Sequence, residues 1–216
     1  MPGDPFRRLD CFPVLTTERL LLRQVTLDDA DWYLEHFSVP EIVWGQGCAP
    51  PEGIEAAREQ TTRYFVESFE QRRGMRWGLV LRHDEERGGV RDGTVTPSAD
   101  PGAVTPAPLI GSAGFYDWDG EVCSAEFGYD LRPEYWGRGL MAEALTAILD
   151  FAFGRLGLNR AQVLLMPRNL RSRRLADRLG FTEEGTLREH DFDERGELCD
   201  DVVFSLLARE WRGSRA

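Results

Sequence analysis

The stretch Leu131-Arg-Pro-Glu-Tyr-Trp-Gly-Arg-Gly-Leu-Met-Ala-Glu-Ala-Leu145 decides the fold of this chain. Its pattern is that of a strand end, a short turn with Gly137 and Gly139, and a helix that begins directly after the turn. Glycine lets the backbone come close to a ligand, and a helix that begins on such a turn presents free N–H groups and the positive end of its dipole. The stretch therefore predicts a site for a phosphate or pyrophosphate group.

Two common nucleotide-binding motifs, the Walker loop and the dinucleotide fingerprint, match this turn poorly. A Walker loop needs a lysine after its glycines, and none follows Gly139. The spacing Gly137-x-Gly139-x-x-Ala142 satisfies the loose dinucleotide fingerprint, but the following strand at 159–166 has no acidic residue to bind a ribose. On the two glycines alone, a turn that binds nothing is an equal alternative.

Segments around the turn and toward both ends of the chain resemble the acetyl-CoA core of the GNAT superfamily of N-acetyltransferases. In chain order they are Thr17–Arg23, Ser124–Leu131, Trp136–Ala144, Met166–Phe181, Gly180–Arg188 and Asp200–Phe204. The first segment and the last two are similar to the subgroup of the ribosomal-protein acetyltransferases RimJ and RimL. The resemblance runs in order from about Leu15 to Trp211, and it rests on the order and spacing of the segments together.

This resemblance implies an α/β (α+β) fold, with a mixed, mostly antiparallel central sheet of about seven strands and helices on both faces. It places one acetyltransferase domain at 15–212, between tails at 1–14 and 213–216. The segment 83–108 departs from the family, in which this connection is short. Its glycines, prolines, threonines and charges predict a flexible insertion between two strands, either a tolerated surface loop or a mobile lid.

Hydrophobic periodicity and turn residues place the elements. We expect strands at 19–23, 77–82, 109–115, 122–131, 161–166, 182–192 and 198–207, helices at 26–37, 52–73, 140–157 and 169–180, and a loop at 38–51. In the third helix, Met141, Leu145, Ile148 and Ala152 have the spacing of a buried face. The loop at 38–51 carries Trp44 between glycines and prolines.

Composition limits the partners. The net charge of −11 argues against nucleic acid, whose backbone needs a basic face, and suits a cationic amine. No apolar run approaches about 20 residues, and the first residues have no apolar signal core, so we expect a cytoplasmic protein with no membrane partner. The four cysteines are widely spaced, which predicts reduced thiols and no metal. The oligomeric state is left open, a homodimer included.

The resemblance implies that acetyl-CoA donates an acetyl group to an amine by direct attack in a ternary complex. The pyrophosphate would bind the backbone N–H groups of 136–141, and the pantetheine arm would lie along 129–131 like an added strand. An N–H near Gly128 or Tyr129 would bind the thioester oxygen. Met141 stands where the family has a small residue, so its side chain must turn into the core. The implied cofactor-binding residues are Tyr129, Leu131, Trp136, Gly137, Arg138, Gly139, Leu140, Met141, Asn169 and Arg174.

A dense basic patch follows the next strand of this acidic chain. Its members are Arg168, Arg171, Arg173, Arg174 and Arg178. The patch is either a seat for the adenosine phosphates, with Arg174 or Arg171 on the cofactor, or a solvated helix face in which Arg173 pairs with Asp177.

Three residues are candidate catalysts by resemblance. Glu126 on the strand before the turn and Asp191 in a terminal strand are alternative general bases. Their structural alternatives are an orienting hydrogen bond and an exposed carboxylate. Ser172 is the candidate acid, because Ala176 stands where many superfamily members have a tyrosine, although a thiolate with a pKa near 8.5 leaves with little help. His190 has a suitable pKa, but strand alternation predicts that its side chain points away from that of Asp191.

The acceptor is expected to be a protein N-terminal α-amine. At pH 7 an α-amine with a pKa near 8 costs about 1 kcal/mol to deprotonate, whereas a lysine amine near 10.4 costs about 4 to 5 kcal/mol. Two alternatives stay open, because no loop carries a recognisable acceptor code. They are a small-molecule (polyamine or antibiotic) acetyltransferase and a non-catalytic acyl-CoA-binding module.

Overall fold

The computed structural model describes Phe6 and residues 9–47, 49–82 and 108–213. The strands in this part of the chain are β1 (Leu15–Thr16), β2 (Leu20–Gln24), β3 (Met75–Leu81), β4 (Leu109–Asp119), β5 (Ser124–Leu131), β6 (Arg160–Leu165), β7 (Thr182–Phe192) and β8 (Leu198–Leu207). They form one sheet of order β1-β2-β3-β4-β5-β6-β8-β7. All neighbours are antiparallel except β5 and β6. The mixed, mostly antiparallel sheet is confirmed, and the short β1 is its eighth strand.

The described helices are α1 (Ala30–His36), α2 (Pro40–Gln46), α3 (Ile54–Thr61), α4 (Ser68–Glu70), α5 (Leu140–Phe151), α6 (Leu170–Leu179) and α7 (Ala208–Gly213). A π-helical stretch, Thr62–Glu67, joins α3 to α4, and a second one, Ala152–Leu156, extends α5 to the left-handed Gly157. Thr26 forms a capping box with Asp29 ahead of α1. The insertion predicted at 83–108 lies outside the described residues, apart from Pro108.

The loop expected at 38–51 is wrong for its central part, which forms helix α2. Pro40 lies in the first turn of α2. Backbone N–H groups in a first turn have no partner within the helix, so the N–H that proline lacks is not needed there. Gly47 ends the helix with a left-handed φ of 64°. The proline and glycine that suggested a loop are therefore the start and stop signals of a short helix.

Each face of the sheet has its own hydrophobic core. Helix α5 packs on one face, where the predicted stripe of Met141, Leu145, Ile148 and Ala152 is buried as expected. Helices α1 to α3 pack on the other face through a second cluster around Phe65. The described helices thus cover both faces of the sheet and leave its strand ends to form the site.

Strands β5 and β6 separate partway along their length. They pair from Ser124 with Arg160 to Glu126 with Gln162, whereas β5 continues to Leu131 and stays paired with β4. Beyond Glu126 no strand among the described residues pairs with the β6 side of β5, and we call this opening the β5–β6 gap. The Tyr129 carbonyl points into it and accepts a hydrogen bond of 3.1 Å from Nε2 of Gln46, on α2.

A buried ionic network holds β5 where it leaves β6. One carboxylate oxygen of Asp130 contacts His36 Nε2 at 2.6 Å and accepts the Ser112 N–H at 2.9 Å. The other accepts from the Arg76 guanidinium and, at 2.7 Å, from the Ser112 hydroxyl. Burial alone raises the pKa of Asp130, but His36 and Arg76 outweigh it and lower this pKa to about 2. The network ties the end of β5 to α1, β3 and β4.

We predict that Asp130→Asn lowers the free energy of unfolding by about 3 to 5 kcal/mol at pH 7, because Arg76 loses its buried partner. The carboxyl group of Asp130 has a pKa of about 3.9 in the unfolded chain and of about 2 in the folded protein. Its contribution is therefore complete above pH 4 and is lost as the pH falls through 2. Urea unfolding at pH 7, 4 and 2 measures the difference between the two proteins, which should shrink at pH 2.

Glu184→Gln is the matched control for this prediction. Hydrogen bonds from Arg160 and Ser205 also lower the pKa of Glu184 to about 2, but its side chain is 42% exposed. Because solvent screens the exposed pair of Glu184 and Arg160, Glu184→Gln should lower the free energy of unfolding by no more than about 1 kcal/mol. Equal losses in the two variants, or a loss in Asp130→Asn that does not change with pH, would show that the buried network does not hold β5.

Candidate cofactor and acceptor site

A cavity of about 650 Å³ opens over the β5–β6 gap. Its walls come from the end of β5, the glycine turn, the first turn of α5, and helices α6 and α2. Every predicted cofactor-binding residue except Arg138 lines it, namely Tyr129, Leu131, Trp136, Gly137, Gly139, Leu140, Met141, Asn169 and Arg174. Ser172 lines it as well. The fold thus gathers this set in one place, and the cofactor-binding roles of its members stay predictions.

The glycine turn delivers uncapped N–H groups to this cavity. Gly137 and Gly139 have φ values of 73° and 77°, which glycine adopts without strain. Gly139 is the N-cap residue of α5, and no side chain caps the helix. The N–H of Trp136 is engaged, since it donates to the Pro133 carbonyl at 3.1 Å. The free donors therefore begin at Gly137, one residue later than the predicted range of 136–141, and they suit an anion.

Trp136 fixes the turn against its neighbours. Its indole N–H donates to the Leu131 carbonyl at 2.6 Å, which closes the end of β5 onto the turn. The Arg171 guanidinium lies 3.7 Å from the centre of the indole ring. A cation over an aromatic face is attracted to it, so this contact connects the turn to α6.

The five arginines of the basic patch divide into two groups. Arg171, Arg174 and Arg178 line the cavity. Arg173 instead pairs with Glu183 of β7 at 2.9 Å, so its expected pairing with Asp177 is wrong. Arg168 pairs with Glu194 and lies over the ring of Trp44. The three cavity arginines could neutralise phosphate groups, whereas the other two hold β7 and the β7–β8 turn.

Arg138 lies outside the cavity, in a groove on the other side of the glycine turn. Its carbonyl accepts a hydrogen bond of 2.9 Å from Arg19, which also pairs with Glu143 of α5 at 2.7 Å. This contact attaches the start of β2 to the first turn of α5. The prediction for Arg138 concerns its backbone N–H, which belongs to the glycine turn, and its cofactor-binding role stays a prediction.

Asn169 and Ser172 open helix α6 beside the cavity. The side-chain oxygen of Asn169 accepts the Ser172 N–H at 3.2 Å, which is the predicted N-cap. The Tyr129 hydroxyl lies 3.4 Å from the Ser172 carbonyl, and burial raises the pKa of this tyrosine to about 12. Asn169 and Ser172 both line the cavity, where they could meet the arm of a cofactor.

Strand alternation decides which backbone donor faces the gap. In an antiparallel pair the N–H and C=O of one residue point to the same side. Because the Tyr129 carbonyl points into the gap, the Tyr129 N–H does too, and the backbone of Gly128 points to β4. The Arg132 N–H, three residues after Tyr129, donates to Ile110 of β4 as this alternation requires. Of the two predicted oxyanion donors, the Tyr129 N–H has the required direction.

Glu126 lies at the closed end of the gap, on the sheet face opposite α5. Its carboxylate accepts from the Tyr116 hydroxyl at 2.5 Å and from the Gln162 amide at 3.4 Å. Burial raises the pKa of Glu126, and the negative charge of Asp201 adds to this increase, while the two hydrogen bonds oppose it. Glu126 does not line the cavity itself, and its catalytic role stays a prediction.

The predicted orientation of His190 is wrong, because β7 contains a bulge. Leu187 pairs with Asp201, and Asp191 pairs with Cys199. Between these two pairs, three residues of β7 (188–190) lie opposite a single residue of β8, Asp200. Glu189 in the bulge has a left-handed φ of 49°. His190 Nδ1 therefore contacts Asp201 at 3.0 Å, on the same side of the sheet as Asp191. Asp191 is exposed and accepts the N–H of its neighbour Phe192 at 2.7 Å; its catalytic role also stays a prediction.

Sequence reasoning missed several residues that shape the site. Gln46, Tyr116 and the Asp130 network reach their partners across the fold, and only Trp44 had been singled out in the segment that forms α2. Within the described residues, no group of His, Cys, Asp and Glu side chains suits a metal ion. The same part of the chain has no helix of the length and apolarity that crossing a membrane requires.

Comparison with known proteins agrees with this geometry. The model of the acetyltransferase (GNAT) domain family matches residues 19–182. The uncharacterized N-acetyltransferase YoaA of Bacillus subtilis (strain 168) is 31% identical over 91% of this chain and 97% of its own length. The [Ribosomal protein uS5]-alanine N-acetyltransferase of Escherichia coli (strain K12) is 28% identical over 93% of this chain and 94% of its own length.

Among solved structures, Mycobacterium smegmatis RimJ in complex with CoA-disulfide is 18% identical and superposes with a TM-score of 0.69 over 88% of this chain and 83% of that chain. At this identity the likeness concerns the fold alone. Together with the family match, the uncapped glycine turn and the β5–β6 gap lead to one conclusion: the chain belongs to the GNAT family of N-acetyltransferases.

Proposed function

We propose that this chain moves the acetyl group of acetyl-CoA to the N-terminal α-amine of a protein, by direct attack in a ternary complex. The observation that carries the proposal is the cavity over the β5–β6 gap, where the uncapped start of α5 meets the open edge of β5. The first feature suits a pyrophosphate, and the second suits the amides of a pantetheine arm. Acetyl transfer is the reaction of the family to which the chain belongs.

Three facts support an α-amine as the acceptor. The relative from Escherichia coli is named an alanine N-acetyltransferase of ribosomal protein uS5, and it is matched over most of both chains. The net charge of −11 attracts a cation. An α-amine also needs less help than a lysine amine to lose its proton at neutral pH. We place this activity in one cytoplasmic domain spanning 15–212.

The proposed reaction needs few groups. The amine nitrogen attacks the thioester carbon, the C–N bond forms, the C–S bond breaks, and the thiolate of coenzyme A leaves with a proton. The Tyr129 N–H binds the oxygen that becomes negative during the attack. Glu126 contributes negative charge near the acceptor ammonium, and Asp191 contributes it at the rim. Ser172 is placed to hydrogen-bond the departing thiolate, which needs little assistance.

We predict that Gly137→Ala weakens coenzyme A binding at least tenfold, because a side chain at φ 73° forces the turn to shift its N–H groups. Gly157→Ala is the matched control, since Gly157 has the same φ of 73°, the same open surroundings and a place at the far end of the helical segment. Both variants should lose about 1 kcal/mol of stability. Calorimetric titration with coenzyme A should separate them; equal affinities would mean that the turn does not bind the cofactor.

The acceptor class is tested by thiol release from acetyl-CoA across a panel of amines. The panel contains peptides that begin with alanine or serine, the same peptides with a blocked N-terminus and one lysine, polyamines and aminoglycosides. We expect turnover with the free α-amine peptides and at least a tenfold lower rate with every other group. Turnover confined to polyamines or aminoglycosides would establish a small-molecule acetyltransferase instead. Binding of acetyl-CoA without turnover would indicate a non-catalytic module.

A further inference from the structure

The β7 bulge brings a histidine and a buried carboxylate together on the acceptor side of the sheet. In β8, Val202 and Phe204 belong to the core that faces α5, so by alternation Asp201 points to the opposite face. Glu126 points to that same face, because its neighbour Phe127 is in the same core. The acceptor side of the gap therefore holds Glu126, Asp201 and, through the bulge, His190.

The contact with Asp201 fixes the chemical form of the His190 ring. Nδ1 lies 3.0 Å from the Asp201 carboxylate, which is 8% exposed, and an ionised carboxylate accepts hydrogen bonds but donates none. A neutral ring must therefore carry its proton on Nδ1 and leave the lone pair on Nε2. Among the described residues Nε2 has no hydrogen-bond partner, and the side chain is 42% exposed. The ring is thus oriented by one group and open at its basic nitrogen.

The bulge that produces this orientation is itself held in place. Glu189 has a left-handed φ of 49°, which is unfavourable for a residue with a side chain. Its N–H donates to the Asp200 carboxylate at 2.8 Å, which helps to stabilise the bulge. A regular strand would turn His190 away from Asp201. Bulges that redirect a side chain are frequent beside active sites.

We propose that His190 is the general base of the reaction and that Asp201 is the residue that positions it. The inference rests on the proposed function, since it requires an amine acceptor. Nε2 takes a proton from the acceptor ammonium, directly or through one water molecule, and becomes an imidazolium next to the Asp201 carboxylate. The neutral amine then attacks the thioester carbon, and the proton that the new amide nitrogen sheds leaves with the sulfur as the thiol. The imidazolium returns its proton to solvent.

Imidazole suits this task better than either carboxylate suggested by the sequence. Both oxygens of Glu126 already accept hydrogen bonds, from Tyr116 and Gln162. Asp191 is exposed, and one of its oxygens accepts a backbone N–H. Imidazole is the side chain that most often serves as a general base in enzymes, because it can gain and lose a proton near neutral pH. The carboxylates then serve as negative charges beside two cations, the ammonium and the imidazolium.

The pH profile of this step depends on the charges near the ring. The charged groups on β7 itself are Arg188, Glu189 and Asp191. Strand β8, which packs against it, adds Asp200 and Asp201, and β5 adds Glu126. Arg188 shares the bulge and is exposed, so it supplies a matched control variant for His190. A change at Arg188 alters the same local backbone without touching the pair.

The test is the rate of acetyl transfer from acetyl-CoA to an alanine-initiated peptide between pH 6.5 and 9.5, for the intact full chain, for three variants, and for Glu126→Gln as a comparison. We expect His190→Gln to lower kcat about tenfold at pH 7, which is the cost of deprotonating an α-amine with a pKa near 8. The deficit should shrink below about twofold at pH 9.5, where the α-amine has already lost its proton. Asp201→Asn should show a smaller deficit with the same pH trend, and Arg188→Gln should follow the wild type. Coenzyme A affinity should be unchanged in all three.

Each other outcome has a defined meaning. A His190→Gln deficit that is constant with pH, or no deficit, overturns the base assignment. A deficit that shrinks with pH in Glu126→Gln but not in His190→Gln assigns the role to the glutamate. A wild-type chain that binds acetyl-CoA but acetylates no amine overturns the proposed function, and this inference with it; the first two outcomes leave the proposed function intact.

A second measurement does not depend on whether the variants fold. Long-range ¹H–¹⁵N spectra of the wild type, labelled at its three histidines, report which ring nitrogen carries the proton. The His190 signals, assigned by their loss in His190→Gln or by selective quenching of an exposed ring, should show the Nδ1–H form at pH 8. The Nε2–H form at His190 would remove the basic lone pair from the open side and overturn the proposal.

Discussion

The separation of β5 from β6 is the constraint on which the rest of the structure depends. Backbone N–H and C=O groups must find partners when they are shielded from water, and an unpaired strand edge invites another chain. Here β5 runs on from Glu126 to Leu131 without β6, so its edge is open in the middle of the sheet. A cavity opens at this edge, and the glycine turn, the arginine-rich helix α6 and helix α2 surround it.

Opening a sheet in its centre requires that the strands stay fixed. Asp130 ties β5 to α1, β3 and β4 through the buried network with His36, Arg76 and Ser112. Trp136 closes the end of the strand onto the glycine turn. These contacts hold the β5 side of the gap in place. In the proposed reaction the thioester and the amine meet at this strand, so its position sets the geometry of the attack.

Sequence reasoning found the local features around the cavity and missed the contacts that join distant parts of the chain. The glycine turn, the stripe on α5, the Asn169 cap and the two terminal strands are local features, because each depends on residues within a few positions of one another. The Gln46 contact with Tyr129 joins residues that are far apart in the chain, and no local pattern announces it. The segment of Gln46 was also misjudged, because Pro40 and Gly47 mark the ends of a helix as readily as they mark a loop.

The orientation of His190 shows the limit most clearly. Strict alternation along a strand places the side chains of His190 and Asp191 on opposite faces of the sheet. The extra residues in the β7 bulge bring His190 to the face of Asp191. The bulge depends on a non-glycine residue in a left-handed conformation, which a sequence pattern does not reveal. Arg168 is a similar case. It pairs with Glu194 in the turn between β7 and β8 and lies over the ring of Trp44, and these contacts form only once the β7–β8 hairpin has folded.

The most direct test of the central claim is a backbone amide titration of the ¹⁵N-labelled chain with coenzyme A. If the gap and the glycine turn hold the cofactor, the largest shifts will be those of Tyr129, Leu131 and residues 137–141, because these N–H groups acquire acceptors on the ligand. Amides of β1 and β2, on the far side of the sheet, should stay nearly constant. Saturation by coenzyme A with the glycine-turn amides unmoved, or shifts produced by a nicotinamide dinucleotide or a nucleoside triphosphate and not by coenzyme A, would contradict the account.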